Sequence, residues 1–596
     1  MFIIDGRTWA HRAGLYSSLA TNTSVKNFNK INDGGFFRMK KYLGVLVVLI
    51  LATAVVFSGC SNGATPDPVN GGNGEDAGPV VGGMYTYGFS GEPATLNPIL
   101  SSDAISSGIT NFINDSLIKT DENLEFAPEL AHDWEVSEDG LVLTFYLRDN
   151  VEWHDGVKFT AEDVKFTFDM VMDPGYTGVR ASDLKFVDHV EVVNDYEVAI
   201  HLTQVDVPIM QRLAGAALGI IPKHIFGEVE ASALREHKNS WDPIGTGPYK
   251  FAEYQSGRHV VLTANENYWG EGPYIETIMI RLYQDSQTLL SAFENGDIDF
   301  INRIPVEDID RIKATMSDDV TFIETPNNGY YYIGLKQNHK YLSDKNVRQA
   351  LMYALDRQSI IDVVFQGYGT VINSHSVPFS WAHNEDVIEY SLDQAKAEEL
   401  FNEAGWTKDA DGFLKNADGE KLEFVIVSMA GEEDKANVIA MAIEQWKEVG
   451  VDAKVEYYER SVLFNQYLDV GHFESYMWGW NLSVDPDSFN MFHSSQAKLN
   501  EAGEPDPNGT LVGFNDVEFI SAEADALLEA GRATYDMDER IQIYGELQQL
   551  LNEELPYIFL YTTNDVKAMY NKVQNAVWSP LEPIDHHLWY IDPAYH

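Results

Sequence analysis

The chain has 596 residues, and its 92 acidic residues against 41 basic ones give a formal net charge of −51 at pH 7. This charge argues against a nucleic-acid-binding protein, because nucleic acids are bound through basic surfaces. A single cysteine rules out an intrachain disulfide framework. The length is enough for two or three lobes.

The first interpretable element is a secretory leader over residues 39–59. Its apolar run, residues 43–57, lies behind basic residues and is shorter than the roughly 20 residues of a membrane span. The tetrapeptide Phe57-Ser58-Gly59-Cys60 resembles the lipobox of bacterial lipoproteins. The resemblance implies cleavage before Cys60 and attachment of a lipid to its thiol.

The segments on either side of this leader receive separate interpretations. Met39-Lys40-Lys41 is typical of the start of a signal sequence, so we expect residues 1–38 to be a mis-annotated N-terminal extension. Residues 60–82 are rich in Gly, Pro, Asn and Asp, which predicts a flexible tether.

The first half of the body alternates strands and helices. Apolar alternation predicts strands in residues 141–149 and 189–202, the second interrupted by a turn. Thr160, with Asp163 three residues later, predicts a capping box that opens a helix. Residues 247–269 predict a hairpin.

The second half is more regular. Helical spacing over residues 345–367 predicts one helix, and residues 391–405 predict another that begins at a Ser391 cap. Residues 421–459 read as strand, helix and strand, a βαβ unit. A helix-rich stretch over residues 518–554 precedes a further strand. The predicted class is α/β with mixed sheets in at least two lobes, between which a small ligand binds.

Six segments together resemble one family, the substrate-binding lipoproteins of peptide-type ABC importers, solute-binding protein family 5. They occur in the family's order and are Ser90–Ile99, Leu130–Phe168, Pro243–Phe251, Asn346–Arg357, Gly479–Phe489 and Leu555–Tyr561. The resemblance implies an α/β, periplasmic-binding-protein-like fold (type II, cluster C). This fold is a flytrap with two main lobes and an inserted third domain.

The resemblance also implies domain boundaries and partners. Domain I is assembled from residues 83–120, 242–327 and 563–596, domain II is an insertion over 121–241, and domain III covers 328–562. The implied protein is a monomer, lipid-anchored at the outer face of the cell membrane, extracellular or periplasmic. It captures a peptide and passes it to the permease and ATPase subunits of an ABC importer, without cofactor, metal or covalent chemistry.

The stretch favoured as the ligand site is residues 477–495. Its candidate binding residues are Trp478, Gly479, Trp480, Asn481, Leu482 and Asp485. In the family, a carboxylate in this loop holds the α-ammonium of the peptide. Residues 481–484 contain no carboxylate, so Asp485 or Glu92 takes that role, or the ligand is not held by its N-terminus. Core packing of the two tryptophans is the alternative.

Two further candidates come from outside this loop. Tyr330, Tyr331 and Tyr332 are consecutive on a predicted strand, so only Tyr331 or the Tyr330/Tyr332 pair reaches the cleft. Arg460 is suited to a ligand carboxylate, because arginine binds carboxylates with two parallel hydrogen bonds. A surface position is the alternative for this arginine.

Other functions are less consistent with the sequence. His154, Asp155, Glu162 and Asp163 suggest a metal site, but a turn and a helix cap account for them. A hydrolase using Asp485 and Asp487 is disfavoured because both lie in one tight turn, and no Gly-x-Ser-x-Gly or His-Glu-x-x-His motif occurs. The alternative that stays open is the same fold binding an oligosaccharide or another non-peptide solute.

Overall fold

The computed structural model describes residues 79–595 except residues 216, 217, 505 and 507. The predicted extension 1–38, the signal peptide 39–59, Cys60 and most of the tether lie outside the described residues. Within the described part, no helix combines the length and the apolar character that crossing a membrane requires.

The described residues between 84 and 283 form ten strands and four helices. The strands are β1 Met84–Ser90, β2 Ile118–Thr120, β3 Phe126–Pro128, β4 Ala131–Val136, β5 Val142–Leu147, β6 Val187–Asn194, β7 Glu197–Leu202, β8 Tyr249–Gln255, β9 His259–Ala264 and β10 Thr277–Tyr283. The helices are α1 Ala104–Thr110, α2 Ala161–Met172, α3 Ile209–Leu213 and α4 Lys223–Phe226.

Residues 286–458, all of them described, form eight strands and six helices. The strands are β11 Phe300–Ile301, β12 Val320–Pro326, β13 Gly329–Leu335, β14 Gly369–Val371, β15 Thr407–Lys408, β16 Leu414–Lys415, β17 Glu423–Met429 and β18 Asp452–Tyr458. The helices are α5 Ser286–Glu294, α6 Ile309–Met316, α7 Lys345–Tyr353, α8 Arg357–Val364, α9 Gln394–Glu403 and α10 Glu433–Glu448.

From residue 460 onward, the part of the chain that the structure describes forms eight strands and four helices. The strands are β19 Ser475–Asn481, β20 Lys498–Leu499, β21 Thr510–Leu511, β22 Tyr557–Tyr570, β23 Val573–Gln574, β24 Val577–Trp578, β25 Pro583–Ile584 and β26 Tyr590–Ile591. The helices are α11 Arg460–Leu463, α12 Phe489–Phe492, α13 Ala522–Ala533 and α14 Met537–Glu554.

One long strand joins the two halves of a 12-stranded sheet ordered β18-β17-β19-β13-β22-β11-β1-β10-β9-β8, with β12 and β14 also paired to β22. The first part of β22 pairs with β13 and β14, and its second part pairs with β11 and β12. The strand therefore runs from one lobe into the other.

The described elements form groups around four hydrophobic clusters. We call residues 329–561, whose buried side chains form the largest hydrophobic cluster, the C-terminal lobe. The sheet β4-β5-β7-β6 packs with α2 around a second cluster, and we call residues 130–234 the four-stranded unit. The strands β1 and β8–β10 contribute to a third cluster, which side chains from residues 569–591 complete. The helices α5 and α6 pack with part of β22 around a fourth. The predicted mixed α/β class is confirmed, and the domain boundaries stay a prediction.

Several local predictions are confirmed because their signals are short-range. Thr160 and Asp163 form the capping box of α2. The hairpins β6–β7 and β8–β9 form with antiparallel pairing. The strands β17 and β18 pair in parallel around α10, as a βαβ unit requires.

Two predictions were wrong in detail. Residues 345–367 were predicted as one helix but form two, α7 and α8. The second helix starts afresh because Asp356 caps it, accepting a hydrogen bond from Ser359 N at 3.0 Å. The helix predicted to begin at Ser391 begins three residues later. Its cap is Asp393, which accepts from Lys396 N at 2.9 Å.

Candidate ligand-binding surface

The candidate site lies where three parallel strands of the C-terminal lobe end. β17 runs parallel to both β18 and β19, so the carboxyl ends of all three strands meet at one edge of the sheet. In open α/β sheets, ligands bind in the crevice outside the carboxyl ends of the strands. This edge carries the last residues of β19, the loop before α10 and the start of α11.

Tyr331 and Trp478 are the centre of an aromatic cluster at this edge. Tyr331 lies opposite Gly479 in the β13–β19 ladder, and a Cβ on Gly479 would lie 2.8 Å from two carbons of the tyrosine ring. The Tyr331 ring therefore occupies the space that this glycine leaves. It stacks on Tyr561 with ring centroids 5.2 Å apart, while Trp478 meets Phe464 edge-on at 5.1 Å.

Two cations lie against the Trp478 ring. The ammonium of Lys435, in the first turn of α10, is 4.6 Å from the centroid of Trp478 and 5.6 Å from that of Tyr331. The exposed guanidinium of Arg460 lies 5.7 Å from Trp478 and 5.2 Å from Phe464. Each contact is a cation–π interaction, which holds the charged group beside an apolar wall.

Carboxylates at the start of α10 adjoin the same cluster. Glu432 forms an ion pair with Lys435. Partial burial raises the pKa of Asp434, which Arg303 opposes and neighbouring glutamates reinforce. Among the described residues, Asp434 makes no ion pair, and both carboxylates contribute to the electrostatic field at Tyr331 and Tyr561. The edge thus combines aromatic rings with charges of both signs.

Tyr330 and Tyr332 face the opposite side of β13 and are buried in the hydrophobic core. Tyr332 stacks on Tyr557 at 3.9 Å, and its hydroxyl is 3.1 Å from that of Tyr476. Of the three consecutive tyrosines, the structure places Tyr331 at the edge where β17, β18 and β19 end. We call this edge, with the aromatic cluster and the charged residues around it, the strand-end surface. Trp480, half-buried, lies parallel to Tyr332 at 6.3 Å.

The loop after β19 is held in place by its backbone and by two ion pairs. Leu482 exchanges hydrogen bonds with Asn328, its N–H with the backbone oxygen and its oxygen with the side-chain amide, both at 2.8 Å. The Asp485 carboxylate lies 2.8 Å from Arg540 Nη2, and their side chains are 7% and 3% exposed. Asp487 accepts hydrogen bonds from Nε and Nη2 of Arg532.

The structure places Asp485 and Glu92 in hydrogen-bond networks of their own. Burial raises the pKa of Asp485, which the adjacent Arg540 opposes. Glu92 is at an exposed position, where it accepts from Tyr254 Oη at 2.9 Å and from Ser256 Oγ at 2.8 Å. These bonds lower the pKa of Glu92. Asn481, in contrast, is exposed at the end of β19, beside the aromatic cluster.

The residues of α10 and β22 at this edge were not among the candidates drawn from the sequence. Lys435, Glu432 and Asp434 follow the first strand of the predicted βαβ unit. The rule that ligands bind at the carboxyl ends of parallel strands was the signal that would have found them. Tyr561 and Phe464 carry no such signal, since tertiary packing brings them to the site.

The segment considered for a metal is structural. His154 lies against the backbone, with its Nε2 2.9 Å from Gly247 O, and burial lowers the pKa of this histidine to about 4. Asp163 accepts hydrogen bonds from Thr160 N and Lys223 N. In the described part of the chain, no three His, Cys, Asp or Glu side chains are grouped as metal ligands.

Comparisons with known proteins agree with this architecture. Residues 125–501 match the model of the bacterial extracellular solute-binding proteins, family 5 (middle). The chain is 32% identical over 549 residues to the oligopeptide-binding protein AppA of Bacillus subtilis, with 91% of this chain and 97% of AppA covered. It is 28% identical over 518 residues to the dipeptide-binding protein of Escherichia coli, with 83% and 92% covered.

Solved structures give the same fold. AppA of Bacillus subtilis in complex with a nonapeptide superposes with a TM-score of 0.65 and 31% identity, covering 86% of this chain and 99% of AppA. NikZ of Campylobacter jejuni in complex with Ni(L-His) superposes with a TM-score of 0.65 and 28% identity, covering 85% and 99%. The fold is therefore that of a periplasmic binding protein with several domains.

Proposed function

The chain belongs to family 5 of the bacterial extracellular solute-binding proteins, and from this membership we propose that it captures peptides and delivers them to an ABC permease for import. It acts by binding and release, since the family consists of substrate-binding proteins of transporters and not of enzymes. The driving force for transport then comes from ATP hydrolysis in its partner.

One observation carries this proposal. The likeness to AppA extends over 97% of that protein's sequence and 99% of its structure, and AppA is named for binding oligopeptides and was solved with a nonapeptide. A relationship over the whole length favours a shared mode of binding more strongly than a shared domain would.

The strand-end surface has the chemistry that a peptide requires. Tyr331 and Trp478 offer apolar walls for side chains, and Trp480, Gly479, Asn481 and Leu482 border them on β19 and its loop. Arg460 and Lys435 suit a carboxylate of the ligand. Asp434 is the carboxylate near Tyr331 that suits an ammonium, since Glu432 is paired with Lys435. Because Asp485 is already neutralised by Arg540, we propose that Asp434 takes the ammonium-binding role.

The proposal extends to the cell envelope. We propose that Cys60 carries a lipid anchor, residues 60–82 act as a tether, and the protein works as a monomer at the outer face of the membrane. In this proposal domains I and III, with the boundaries that the resemblance implies, close around the ligand. The family's extracellular location and the lipobox-like residues before Cys60 support this placement.

Native mass spectrometry of the purified protein tests the function. We expect co-purified peptides to appear on denaturation, and the spread of their masses to reveal whether the peptide length is fixed. Emptied protein is then titrated with synthetic peptides and followed by its melting temperature, which rises with bound ligand. If neither peptides co-purify nor any peptide pool stabilises the protein, the peptide proposal is wrong.

A non-peptide solute is the second candidate, and one observation favours it. Residues 481–484 lack a carboxylate, and the next one along the loop, Asp485, is committed to Arg540. The likeness to NikZ, solved with Ni(L-His), supports a wider range of ligands for the fold. Stabilisation by oligosaccharides or by a nickel–histidine complex, with no response to peptides, would favour this candidate.

A further inference from the structure

The C-terminal lobe and the four-stranded unit are in contact beside the loop after β19. Val207 N–H of the four-stranded unit donates to the backbone oxygen of Arg532, at 3.5 Å. Tyr535, in the link between α13 and α14, packs on the other side of the same contact. None of these three residues belongs to the strand-end surface.

Arg532 connects this contact to the candidate ligand loop. Its guanidinium donates from Nε to Asp487 Oδ2 at 2.9 Å and from Nη2 to the same oxygen at 2.6 Å. It also lies 3.9 Å from the ring centroid of Phe489. The same residue therefore holds the loop that follows β19 through its side chain and meets the four-stranded unit through its backbone.

Tyr535 supplies the apolar part of the contact. It is the one C-terminal-lobe side chain, among the described residues, that packs against the hydrophobic cluster of the four-stranded unit. A Cβ on Gly140 would lie 3.4 Å from its ring and 3.1 Å from Val205. Gly140, Val205 and the Tyr535 ring therefore lie next to one another at this contact.

Each side of the contact carries an ion pair. Asp206, with a side chain only 5% exposed, pairs with Arg212 on the four-stranded unit. On the other side stands the Asp487–Arg532 pair, and Asp206 is attracted by Arg532 and repelled by Asp487. Such an arrangement fixes the register of the two surfaces more than it adds affinity.

We propose that this contact is a closure latch, through which the four-stranded unit holds the C-terminal lobe against the ligand. The inference rests on the proposed function, because a latch needs a ligand to retain. It gives the four-stranded unit a role in retention, since Asp487 fixes the ligand loop to Arg532, and the backbone of Arg532 meets that unit at Val207. Breaking the contact then speeds ligand release and leaves the strand-end surface unchanged.

The test uses Tyr535→Ala in the full chain with C60S, which leaves no native cysteine. Spin labels at Val193→Cys and Ile541→Cys, both exposed positions on the two sides, report the separation of the lobe and the unit. We expect Y535A to lengthen the distance between labels and to raise the peptide dissociation rate about tenfold, with an unchanged association rate. Met537→Ala, two residues further on at the exposed start of α14, is the matched control and should behave as the parent protein.

Val205→Asp on the facing surface should reproduce both effects, which guards against a folding defect specific to Y535A. Far-UV circular dichroism verifies that each variant is folded. Parent-like dissociation in Y535A and V205D, with parent-like label distances, would overturn the latch. If the parent protein binds no peptide, the proposed function fails, yet the distances in ligand-free protein still decide whether the contact holds the lobe.

Discussion

The Asp485–Arg540 pair gives the sharpest stability prediction. Both side chains are nearly inaccessible, 7% and 3% exposed, and Arg540 Nη2 lies 2.8 and 2.9 Å from the two carboxylate oxygens. Arg540 Nε also donates to Gly531 O at 3.0 Å. Arg540→Met leaves a buried carboxylate without its cation, which costs about 3–5 kcal/mol. An effective dielectric of about 20 gives about 4 kcal/mol for charges about 4 Å apart, in agreement.

The same variant has a signed dependence on pH. Burial raises the pKa of Asp485 in the folded protein, and removing Arg540 raises it further above the unfolded value of about 3.9. A raised folded pKa contributes stability that is present below the unfolded pKa and is lost as the pH rises through the folded one. The penalty of R540M therefore shrinks on acidification, because a protonated carboxyl is cheaper to bury.

Urea unfolding followed by tryptophan fluorescence and by circular dichroism measures this penalty, and the two probes must coincide for a single free energy to be defined. Lys165→Met removes one partner of the exposed Lys165–Asp169 pair on α2 and should cost at most about 0.5 kcal/mol. An R540M penalty below about 1 kcal/mol at neutral pH, or one that does not change with pH, would refute the reasoning.

Three further predictions concern other parts of the chain. Trp478→Ala should weaken ligand binding by tenfold or more, about 1.4 kcal/mol, with W478F retaining most of the affinity, as measured by titration calorimetry. Leu555, which is fully buried, caps the C-terminal end of α14 with a left-handed backbone at φ 46°. In urea unfolding, Leu555→Gly should be about 1 kcal/mol less destabilising than Leu555→Ala, because only glycine adopts that φ without strain. Burial and the nearby Asp115 raise the pKa of Glu129, so E129Q should raise the melting temperature above the parent's at about pH 8 and change it little at about pH 5, since the cost of the buried charge grows as the pH rises through the raised pKa. Equal shifts at both pH values would contradict this account of Glu129.

Much of the fold was accessible from the sequence because its signals are local. Thr160 with Asp163 specifies the start of α2 within four residues, and the alternation in residues 189–202 specifies a hairpin. The break between α7 and α8 was missed because the apolar spacing continues through it. The side chain of Asp356 accepts a hydrogen bond from a backbone N–H there and so begins a new helix. Pairing of β22 with strands of both lobes depends on contacts far apart in sequence, which no local pattern contains.

The candidate site was accessible only in part, for a related reason. Trp478 and Tyr331 were candidates because of their positions on predicted strands, and the alternation of β13 predicted that the three tyrosines divide between two faces. The sequence does not reveal which face, since that depends on which surface the strands β19 and β22 bury. Lys435 lies 43 positions from Trp478 along the chain and joins it only because α10 follows a parallel neighbour of β19.

The two aspartates of the loop after β19 show how charge in a ligand loop is to be interpreted. From the sequence, Asp485 was a candidate for the ligand's ammonium, yet its cation is Arg540, 55 positions away, as Asp487 is matched by Arg532 at 45. A carboxylate buried against a guanidinium has no net charge to offer, and releasing it would leave Arg540 unpaired at a cost of several kcal/mol. A ligand's ammonium needs an accessible carboxylate that is not already paired with a cation. Asp434 is at an exposed position beside Tyr331 and makes no ion pair with any described residue. We therefore expect a charged ligand end to be recognised at the first turn of α10 and not in the loop.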